Sequence, residues 1–357
     1  MNDNYKIPVP KFLVKELTFW GLPYNLAVLM GGVMVLSAVV LKSIPIFIIF
    51  FIIYISLVIL IKVNPKFDPE IVEIISKMTF KKYQNREHNQ MKLGIIGAGN
   101  MGSSILKGVT SSNFLENRNI AIFDLNEKKI EELSKEYRIK KAENENELAK
   151  ESDILILSVK PNIIPKVLDK IKDDLSEKTI VLSIAAGISI DFIENIIGTD
   201  KKVIRTMPNT PAQVMQGMTA VSFNSNIEES EKNVIFKLLN SFGKSVEIEE
   251  KLMHVYTGIS GSLPAYVYVF IEALADGGVL ERMPRDKAYE IIAQAVLGSA
   301  KMMLETKKHP GILKDEVTSP GGTTIAALKV LEDGKFRGTV MEAVKACTEK
   351  SKEMAGE

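Results

Sequence analysis

Three glycines, Gly97, Gly99 and Gly102, have the spacing that allows a backbone to approach a phosphate closely. They follow the short apolar run KLGII, and the next residues, NMGSSILKGV, have the pattern of a helix. In such a unit the first glycine permits a tight turn, the second admits a pyrophosphate, and the third lets the helix pack on the strand. The helix N-terminus then faces the phosphates. This context predicts a dinucleotide-binding loop whose residues are Gly97, Ala98, Gly99, Asn100, Met101 and Gly102.

A second chemical candidate is Asp124, which ends the next apolar run, NIAIFD, 22 residues after Gly102. An acidic side chain near this position accepts hydrogen bonds from the adenosine ribose hydroxyls and favours NADH over NADPH. Two alternatives stay open. Asp124 is also placed to cap the helix that begins LNEKKIEEL, and Lys128 or Lys129 is placed to meet a 2′-phosphate. We therefore expect NADPH or NADH as the cofactor, with Asp124 favouring NADH.

Apolar runs that alternate with helical patterns must hold these loops in place. The segments DILILSVKP, TIVLSIAAG and KKVIRTMPNTP are nearly continuous apolar runs, as in parallel strands covered on both faces. Beyond residue 251 the segments PAYVYVFIEALADGGV and KAYEIIAQAVLGSAKMMLE are helical and apolar on more than one face. Such helices are hard to bury within one chain. We expect an α/β Rossmann-like doubly wound domain followed by an all-α dimerisation domain.

The first part of the chain has a different composition. Residues 17–41 and 43–61 contain no charged side chain. A helix of about 20 apolar residues crosses the roughly 30 Å hydrocarbon layer of a membrane. We expect a two-helix transmembrane hairpin across residues 17–62, turning near Lys42; a single broken span, or a signal peptide followed by a helix, is the alternative. Lysines before and after the hairpin outnumber those in its turn, which predicts that both ends face the cytoplasm.

Two boundaries in composition divide the chain. A soluble composition begins near residue 62, and Met91 directly precedes the first strand of the dinucleotide-binding unit. We expect a membrane hairpin segment with cytoplasmic tails at 1–90, a Rossmann domain at 91–250, and a helical substrate and dimerisation domain at 251–357. A natural fusion, a misjoined reading frame and an engineered junction all fit this pattern. The expected location is the inner (cytoplasmic) membrane with the enzyme domain in the cytoplasm, or the cytoplasm for a chain starting at Met91.

Composition excludes several other classes of function. The 45 Lys and Arg residues balance the 44 Asp and Glu residues, and no basic cluster is interleaved with aromatic residues, so nucleic acid is not an expected partner. The single cysteine, Cys347, excludes an internal disulfide framework and a cysteine-based metal site. Three scattered histidines give no metal site either. We assign no chemistry to Cys347 or His309.

Further motifs follow the glycine loop in a fixed order. They are SVKP, SIAAG, MPNTP, TGISGSLPAYVYVFIEALADGGV, HPGILKDEV and SPGGTTIAALKVLE. Together with GAGNMG they closely resemble pyrroline-5-carboxylate reductase, over essentially all of residues 91–357. The resemblance implies NAD(P)H-dependent reduction of 1-pyrroline-5-carboxylate, a small cyclic imine, to L-proline, the last step of proline biosynthesis. It also implies an interleaved homodimer, sometimes assembled into larger rings, with active sites at the subunit interface.

The resemblance also assigns roles to particular residues. Backbone N–H groups of SPGGTT hold the substrate carboxylate, and the Thr324 hydroxyl bonds the ring nitrogen and helps its protonation, which makes Thr324 the catalytic residue. A Ser/Thr-rich helix cap is the alternative for this segment. The substrate-binding residues are Ser319, Gly322, Thr323 and Thr324. The residues that line the ribose and nicotinamide are Ser158, Val159, Lys160, Pro161, Ala185 and Ala186.

Two positions depart from the family pattern. Leu263 in SGSLPAY stands where the family usually has a small residue, which alters packing near the pocket. Glu145 in AENENELA stands where the family typically has an asparagine that helps to bind the adenosine side. Asn144 and Asn146 flank Glu145, so a shift in alignment is an alternative explanation.

Two other functions are weighed against the reductase. Residues 8–76 resemble the small two-helix inner-membrane component of type IV secretion (conjugation) machines, which implies a structural membrane subunit joined to the reductase as a passenger. The glycine loop is also how a β-hydroxyacid dehydrogenase begins. In those enzymes a lysine on the long helix after the Rossmann domain acts as acid and base. The corresponding segment here, SGSLPAYVYVFIEAL, contains no lysine. The sequence therefore favours the imine reductase.

Overall fold

The computed structural model describes residues 18–19, 22–23, 48–49, 51–52, 54–56, 91–112 and 114–356. The chain divides into two compact units, Met1–Glu87 and His88–Glu357. In the first unit Thr18–Phe19 pairs antiparallel with Leu22–Pro23, and the described residues between 48 and 56 are helical. The rest of the expected transmembrane hairpin lies outside the described residues.

The second unit is built on an eight-stranded sheet. Its strands, in chain order, are β1 (Leu93–Ile96), β2 (Ile120–Phe123), β3 (Lys140–Lys141), β4 (Ile154–Leu157), β5 (Ile180–Ser183), β6 (Lys202–Pro208), β7 (Gly217–Phe223) and β8 (Gly243–Glu247). Their order in the sheet is β8-β7-β6-β5-β4-β1-β2-β3. Strands β1 to β6 are parallel, whereas β7 runs antiparallel to β6 and β8 runs parallel to β7. The carboxyl ends of β1 to β6 therefore lie along one edge, which is where open α/β sheets bind ligands.

Helices cover the sheet and then continue beyond it. Those beside the sheet are α1 (Asn100–Ser111), α2 (Glu127–Tyr137), α3 (Glu145–Glu151), α4 (Ile164–Ile171), α5 (Ile190–Ile197) and α6 (Glu229–Leu239). Those after the sheet are α7 (Met253–Tyr256), α8 (Leu263–Leu280), α9 (Arg285–Thr306), α10 (Pro310–Glu316), α11 (Thr323–Asp333) and α12 (Phe336–Ala355). A π-helical turn, Thr257–Gly261, joins α7 to α8. The expected Rossmann-like fold followed by a helical region is confirmed.

Alternate residues of the central strands fill two separate cores. In β4, Ile154 and Ile156 belong to one buried cluster, whereas Leu155 and Leu157 belong to the other. All four side chains are at most 1% exposed. Successive side chains of a strand point to opposite faces, so a strand buried on both faces reads as one continuous apolar run. That is why DILIL and TIVLS lack the polar alternation of a half-exposed strand.

The helices after β8 are covered very differently. Only Ala288 is buried in the 22 residues of α9, and no residue is buried in α11 or α12. Apolar side chains such as Val269, Leu304 and Met341 are between 65% and 77% exposed. Among the described residues one helical run, Glu250–Leu280, is long and apolar enough to span a membrane. Length and composition of a single helix are weak evidence for a membrane span. So many exposed apolar side chains on these helices indicate a surface that another chain covers.

Candidate active site

Steric contacts explain two of the three loop glycines. Gly97 follows β1 with φ +104°, a conformation that L side chains rarely adopt. A Cβ on Gly97 would overlap the Ser158 carbonyl oxygen, and a Cβ on Gly102 would overlap the Gly97 carbonyl oxygen. The loop, the start of α1 and the end of β4 therefore pack backbone against backbone.

Gly99 is different, because a Cβ there would meet no atom within 4 Å. Gly99 is exposed and precedes α1 as its N-cap, with no side chain capping the helix and no acidic residue in the first turn. The unpaired N–H groups and partial positive charge of a helix N-terminus suit an anion. The space in front of Gly99 fits the pyrophosphate of a dinucleotide.

Replacing these glycines should separate binding from folding. Gly99→Ala is expected to weaken NADH and NADPH binding about tenfold, since the added methyl enters the phosphate space, while the melting temperature stays within about 2 °C. Gly99 has φ −62°, which alanine adopts without strain. Fluorescence titration and thermal melting measure the two effects.

Gly102→Ala is the matched control. Its methyl group has no room beside the Gly97 carbonyl, so this variant should lose stability as well as binding. Unchanged dinucleotide affinity in Gly99→Ala would contradict a pyrophosphate site at this position.

Asp124 ties the glycine loop to the end of β2. Its Oδ2 atom accepts a hydrogen bond from the Ala98 N–H at 2.6 Å, and its Oδ1 atom accepts one from the Asn126 N–H at 2.8 Å. The predicted alternative that Asp124 caps α2 is wrong, because the N-cap is Asn126, whose side chain accepts from the Lys129 N–H at 3.2 Å. A carboxylate has about four acceptor sites, so Asp124 keeps capacity for ribose hydroxyls.

Glu145, one of the two positions predicted to depart from the family pattern, takes part in an ion pair. Glu145 is the first residue of α3, is 8% exposed, and its Oε1 lies 3.2 Å from the Lys170 Nζ. The neighbouring amides are also engaged: Asn144 caps α3 by accepting from the Glu147 N–H at 2.8 Å, and Asn146 donates to the Lys170 carbonyl at 2.6 Å. If the alignment shifts by one residue in either direction, the asparagine that it selects, Asn144 or Asn146, already has a structural hydrogen bond.

The residues predicted to line the ribose and nicotinamide follow two neighbouring strands. Ser158, Val159, Lys160 and Pro161 come directly after β4, and Ala185 and Ala186 are the second and third residues after β5. We call residues 184–189 the β5 loop. Ala185 is buried, whereas Ala186 and Lys160 are exposed. Because β1, β2, β4 and β5 are parallel, the structure brings all predicted dinucleotide residues to one edge of the sheet.

A buried polar network at the end of β6 was not predicted from the sequence. Asn209 donates to the Ser260 carbonyl at 3.2 Å and accepts from the Met218 N–H at 2.8 Å. The Tyr256 hydroxyl donates to the Met218 carbonyl at 2.7 Å and accepts from the Ser260 hydroxyl at 2.9 Å. Burial raises the pKa of Tyr256, so its hydroxyl remains a donor at neutral pH. The motif MPNTP was the only sequence signal for this network. The network fixes the π-helical turn against the sheet.

The predicted substrate-binding residues lie at the start of α11. Gly322 is the N-cap, no side chain caps the helix, and the first turn has no acidic residue. The predicted alternative of a Ser/Thr side-chain cap is therefore wrong. Gly321 has φ +68°, and the Gly322 N–H donates to the Ser319 carbonyl at 3.1 Å, which makes a tight turn before the helix. The open N-terminus suits a carboxylate, and Thr324 beside it is half-buried.

The turn before α11 and the dinucleotide loops belong to different elements of the described chain. No hydrogen bond among the described residues joins residues 319–324 to the glycine loop or the β5 loop. No group of three or more His, Cys, Asp or Glu side chains among them could hold a metal ion. The Cys347 Sγ lies 3.2 Å from the Ser262 hydroxyl, and His309 accepts from the Gly311 N–H at the start of α10. Leu263, the other departure from the family, begins α8 and is 42% exposed.

A glycine loop between a parallel strand and a helix, with an acidic residue after the next strand, defines a Rossmann-type, dinucleotide-dependent oxidoreductase. The family description "Pyrroline-5-carboxylate reductase dimerisation" matches residues 250–354. A second description, "NADP oxidoreductase coenzyme F420-dependent", matches residues 92–187.

Individual relatives agree with these matches. Pyrroline-5-carboxylate reductase from Escherichia coli K12 is 45% identical over 266 residues, which cover 74% of this chain and 99% of the relative. The Plasmodium falciparum pyrroline carboxylate reductase, crystallised with NADP bound, is 36% identical with a TM-score of 0.68, covering 75% of this chain and 99% of that one. The Coxiella burnetii reductase is 31% identical with a TM-score of 0.72, covering 74% and 99%. The chain belongs to the pyrroline-5-carboxylate reductase family.

Proposed function

We propose that the chain reduces 1-pyrroline-5-carboxylate to L-proline with NADH or NADPH. The observation that carries this proposal is the uncapped N-terminus of α11 within SPGGTT, in a chain that also carries the glycine loop and is 45% identical to a reductase of this name. The iminium form of the substrate is a good electrophile, so orientation and charge complementarity supply much of the rate.

The cofactor and the substrate are held by different kinds of loop. The open space at Gly99 and the N-terminus of α1 hold the pyrophosphate, Asp124 holds the adenosine ribose, and the loops after β4 and β5 line the nicotinamide side. When bound, the dinucleotide supplies the hydride that reduces the imine carbon. The backbone of Ser319, Gly322, Thr323 and Thr324 surrounds the substrate carboxylate, which the open N–H groups at the start of α11 hold.

Thr324 is the residue we assign to proton chemistry. Its hydroxyl hydrogen-bonds the ring nitrogen, which stabilises the protonated imine and orients the electrophilic carbon. The balanced reaction consumes one hydride at carbon and one proton at nitrogen, and releases proline and the oxidised dinucleotide. No nucleophilic side chain is needed, because no covalent bond forms between substrate and protein.

The active site is completed by a second copy of the chain. The exposed apolar faces of α8, α9, α11 and α12 form the homodimer, consistent with the dimerisation description over residues 250–354. Larger rings are built from the same dimers.

The cofactor preference follows from Asp124. A carboxylate beside the adenosine ribose accepts from its hydroxyls and repels a 2′-phosphate. Asp124 therefore favours NADH, although a member of the family binds NADP.

The first ninety residues anchor this enzyme to the inner membrane. The proposal rests on two uncharged stretches, 17–41 and 43–61, with lysines on the flanks. The reductase then lies in the cytoplasm, and the hairpin is similar in kind to a small structural subunit of a secretion machine.

Cell fractionation tests the activity and the anchor together. In cells expressing the whole chain, pyrroline-5-carboxylate-dependent oxidation of NADH and NADPH is expected in the membrane pellet. A chain starting at Met91 is the control and should give activity in the supernatant. Activity of the whole chain only in the supernatant would contradict the anchor, and activity in neither fraction would contradict the reductase.

A further inference from the structure

A partly buried ion pair joins the sheet to the start of the helical region. Arg205, in the middle of β6, is 6% exposed, and its Nη1 donates to the Glu250 Oε1 at 3.0 Å. Glu250 begins the short 3-10 helix between β8 and α7. Removing one member of a buried pair leaves the other charge uncompensated, so Arg205 requires this carboxylate.

The same oxygen of Glu250 makes a second contact. It accepts a hydrogen bond from the backbone N–H of Ile190, at 2.8 Å. Ile190 is the first residue of α5, and the Ser189 side chain caps only the Phe192 N–H. The first N–H groups of a helix lack partners within the helix, and its N-terminus favours negative charge. Glu250 therefore completes the cap of α5 from a distant part of the chain.

These contacts bracket the β5 loop. Ile190 follows the last residue of the loop, and Ser183, which precedes its first residue, pairs in register with Arg205. The Ser183 hydroxyl accepts from the Ala185 N–H at 3.2 Å, and the Thr206 hydroxyl donates to the Ser183 carbonyl at 3.0 Å. The pair Arg205–Glu250 thus connects the strand beside one end of the loop to the helix at its other end.

The helical region approaches the loop at one more point. An ideal Cβ on Gly187, in the middle of the loop, would lie 3.9 Å from the Ala355 Cα at the end of α12. The loop that carries Ala185 and Ala186 is therefore bordered by the helical region of its own chain, at Glu250 and at the last turn of α12.

We propose that Glu250 is a positioning residue for hydride transfer. Its contacts with Ile190 and Arg205 fix the position of the β5 loop, so that Ala185 and Ala186 border the nicotinamide. Because Glu250 belongs to the start of the helical region, the position of the loop depends on that region. This inference rests on the proposed function, which places the nicotinamide at the β5 loop. The adenosine end of the dinucleotide binds at other strands, so Glu250 acts on one end of the cofactor only.

Binding of whole and truncated cofactor tests this inference. ADP-ribose contains the pyrophosphate and adenosine but lacks nicotinamide. In the whole chain, Glu250→Ala is expected to weaken NADH binding about tenfold and lower kcat about tenfold, with ADP-ribose affinity changed less than about twofold. Glu250→Gln keeps an acceptor for the Ile190 N–H and the Arg205 guanidinium but loses the negative charge, so it should recover part of the NADH affinity.

Glu247→Ala is the matched control. Glu247 ends β8, is half-exposed, and pairs with Lys232 at 2.9 Å. Its NADH and ADP-ribose affinities should match those of the unaltered chain. Equal losses of NADH and ADP-ribose affinity in Glu250→Ala would mean a purely structural role, and no loss of either would also overturn the inference. An unaltered chain that binds both ligands but does not reduce pyrroline-5-carboxylate would contradict the proposed function and leave the binding comparison for Glu250 valid.

Discussion

Thr324→Ala is expected to lower kcat for pyrroline-5-carboxylate about a hundredfold, because a positioned proton donor typically contributes that much or more. The Thr324 hydroxyl is the one side-chain group assigned to the ring nitrogen, and the remaining substrate contacts come from the backbone. Affinity for NADH and NADPH should change less than about twofold, since the glycine loop is on other elements. Steady-state kinetics and dinucleotide titration measure the two effects.

Thr324→Ser is the control for this prediction. It keeps the hydroxyl at the same place in the first turn of α11 and should retain most of the turnover. Because no side chain caps α11, loss of the hydroxyl in Thr324→Ala leaves the helix start unchanged. Turnover of Thr324→Ala equal to that of the unaltered chain would reject the catalytic role of Thr324.

Asp124→Ala is expected to shift the ratio of kcat/KM values for NADPH and NADH about thirtyfold towards NADPH. Two unit charges about 4 Å apart interact by about 4 kcal/mol at an effective dielectric of 20, and solvent screening leaves roughly half of this. About 2 kcal/mol corresponds to roughly thirtyfold. Loss of the carboxylate also removes the acceptor for ribose hydroxyls, which acts in the same direction.

The ratio is the decisive readout, because Asp124 also has a structural role. Its bonds to the Ala98 and Asn126 N–H groups are lost in the variant, which loosens the glycine loop and weakens both cofactors alike. Asp191→Ala, in the first turn of α5, is a control for removing a carboxylate at another helix start. A constant NADPH-to-NADH ratio in Asp124→Ala would limit Asp124 to holding the loop.

The sequence alone predicted the strands and turns whose formation depends on neighbouring residues. Continuous apolar runs predicted the buried strands, and the glycine spacing predicted the turn between β1 and α1, since each depends on neighbouring residues. The reversal of β7 and β8 was not predicted, because strand direction at a sheet edge depends on pairing between distant segments. The helical region was recognised as needing a partner because its apolar residues lie on more than one helix face.

Site residues could be predicted where motifs stand in order, but not where a role depends on distant contacts. Asp124 was recognised by its place after β2, but its bond to Ala98, 26 residues earlier, belongs to the folded chain. Asn209 belongs to the motif MPNTP, which does not reveal its partners, and Glu250 carries no motif. Asn209 acts on the π-helical turn 51 residues later, and Glu250 on a helix start 60 residues earlier. Such roles appear only when the sheet has brought the segments together.

Because the helices after β8 bury almost no side chains within one chain, the stability of this region depends on protein concentration. The free energy that orders α9, α11 and α12 has to come largely from a neighbouring subunit, since a single chain buries almost none of their apolar side chains. Unfolding of this half is then linked to dissociation, and its midpoint rises with protein concentration. Dilution, rather than heat alone, acts as a denaturant for these helices.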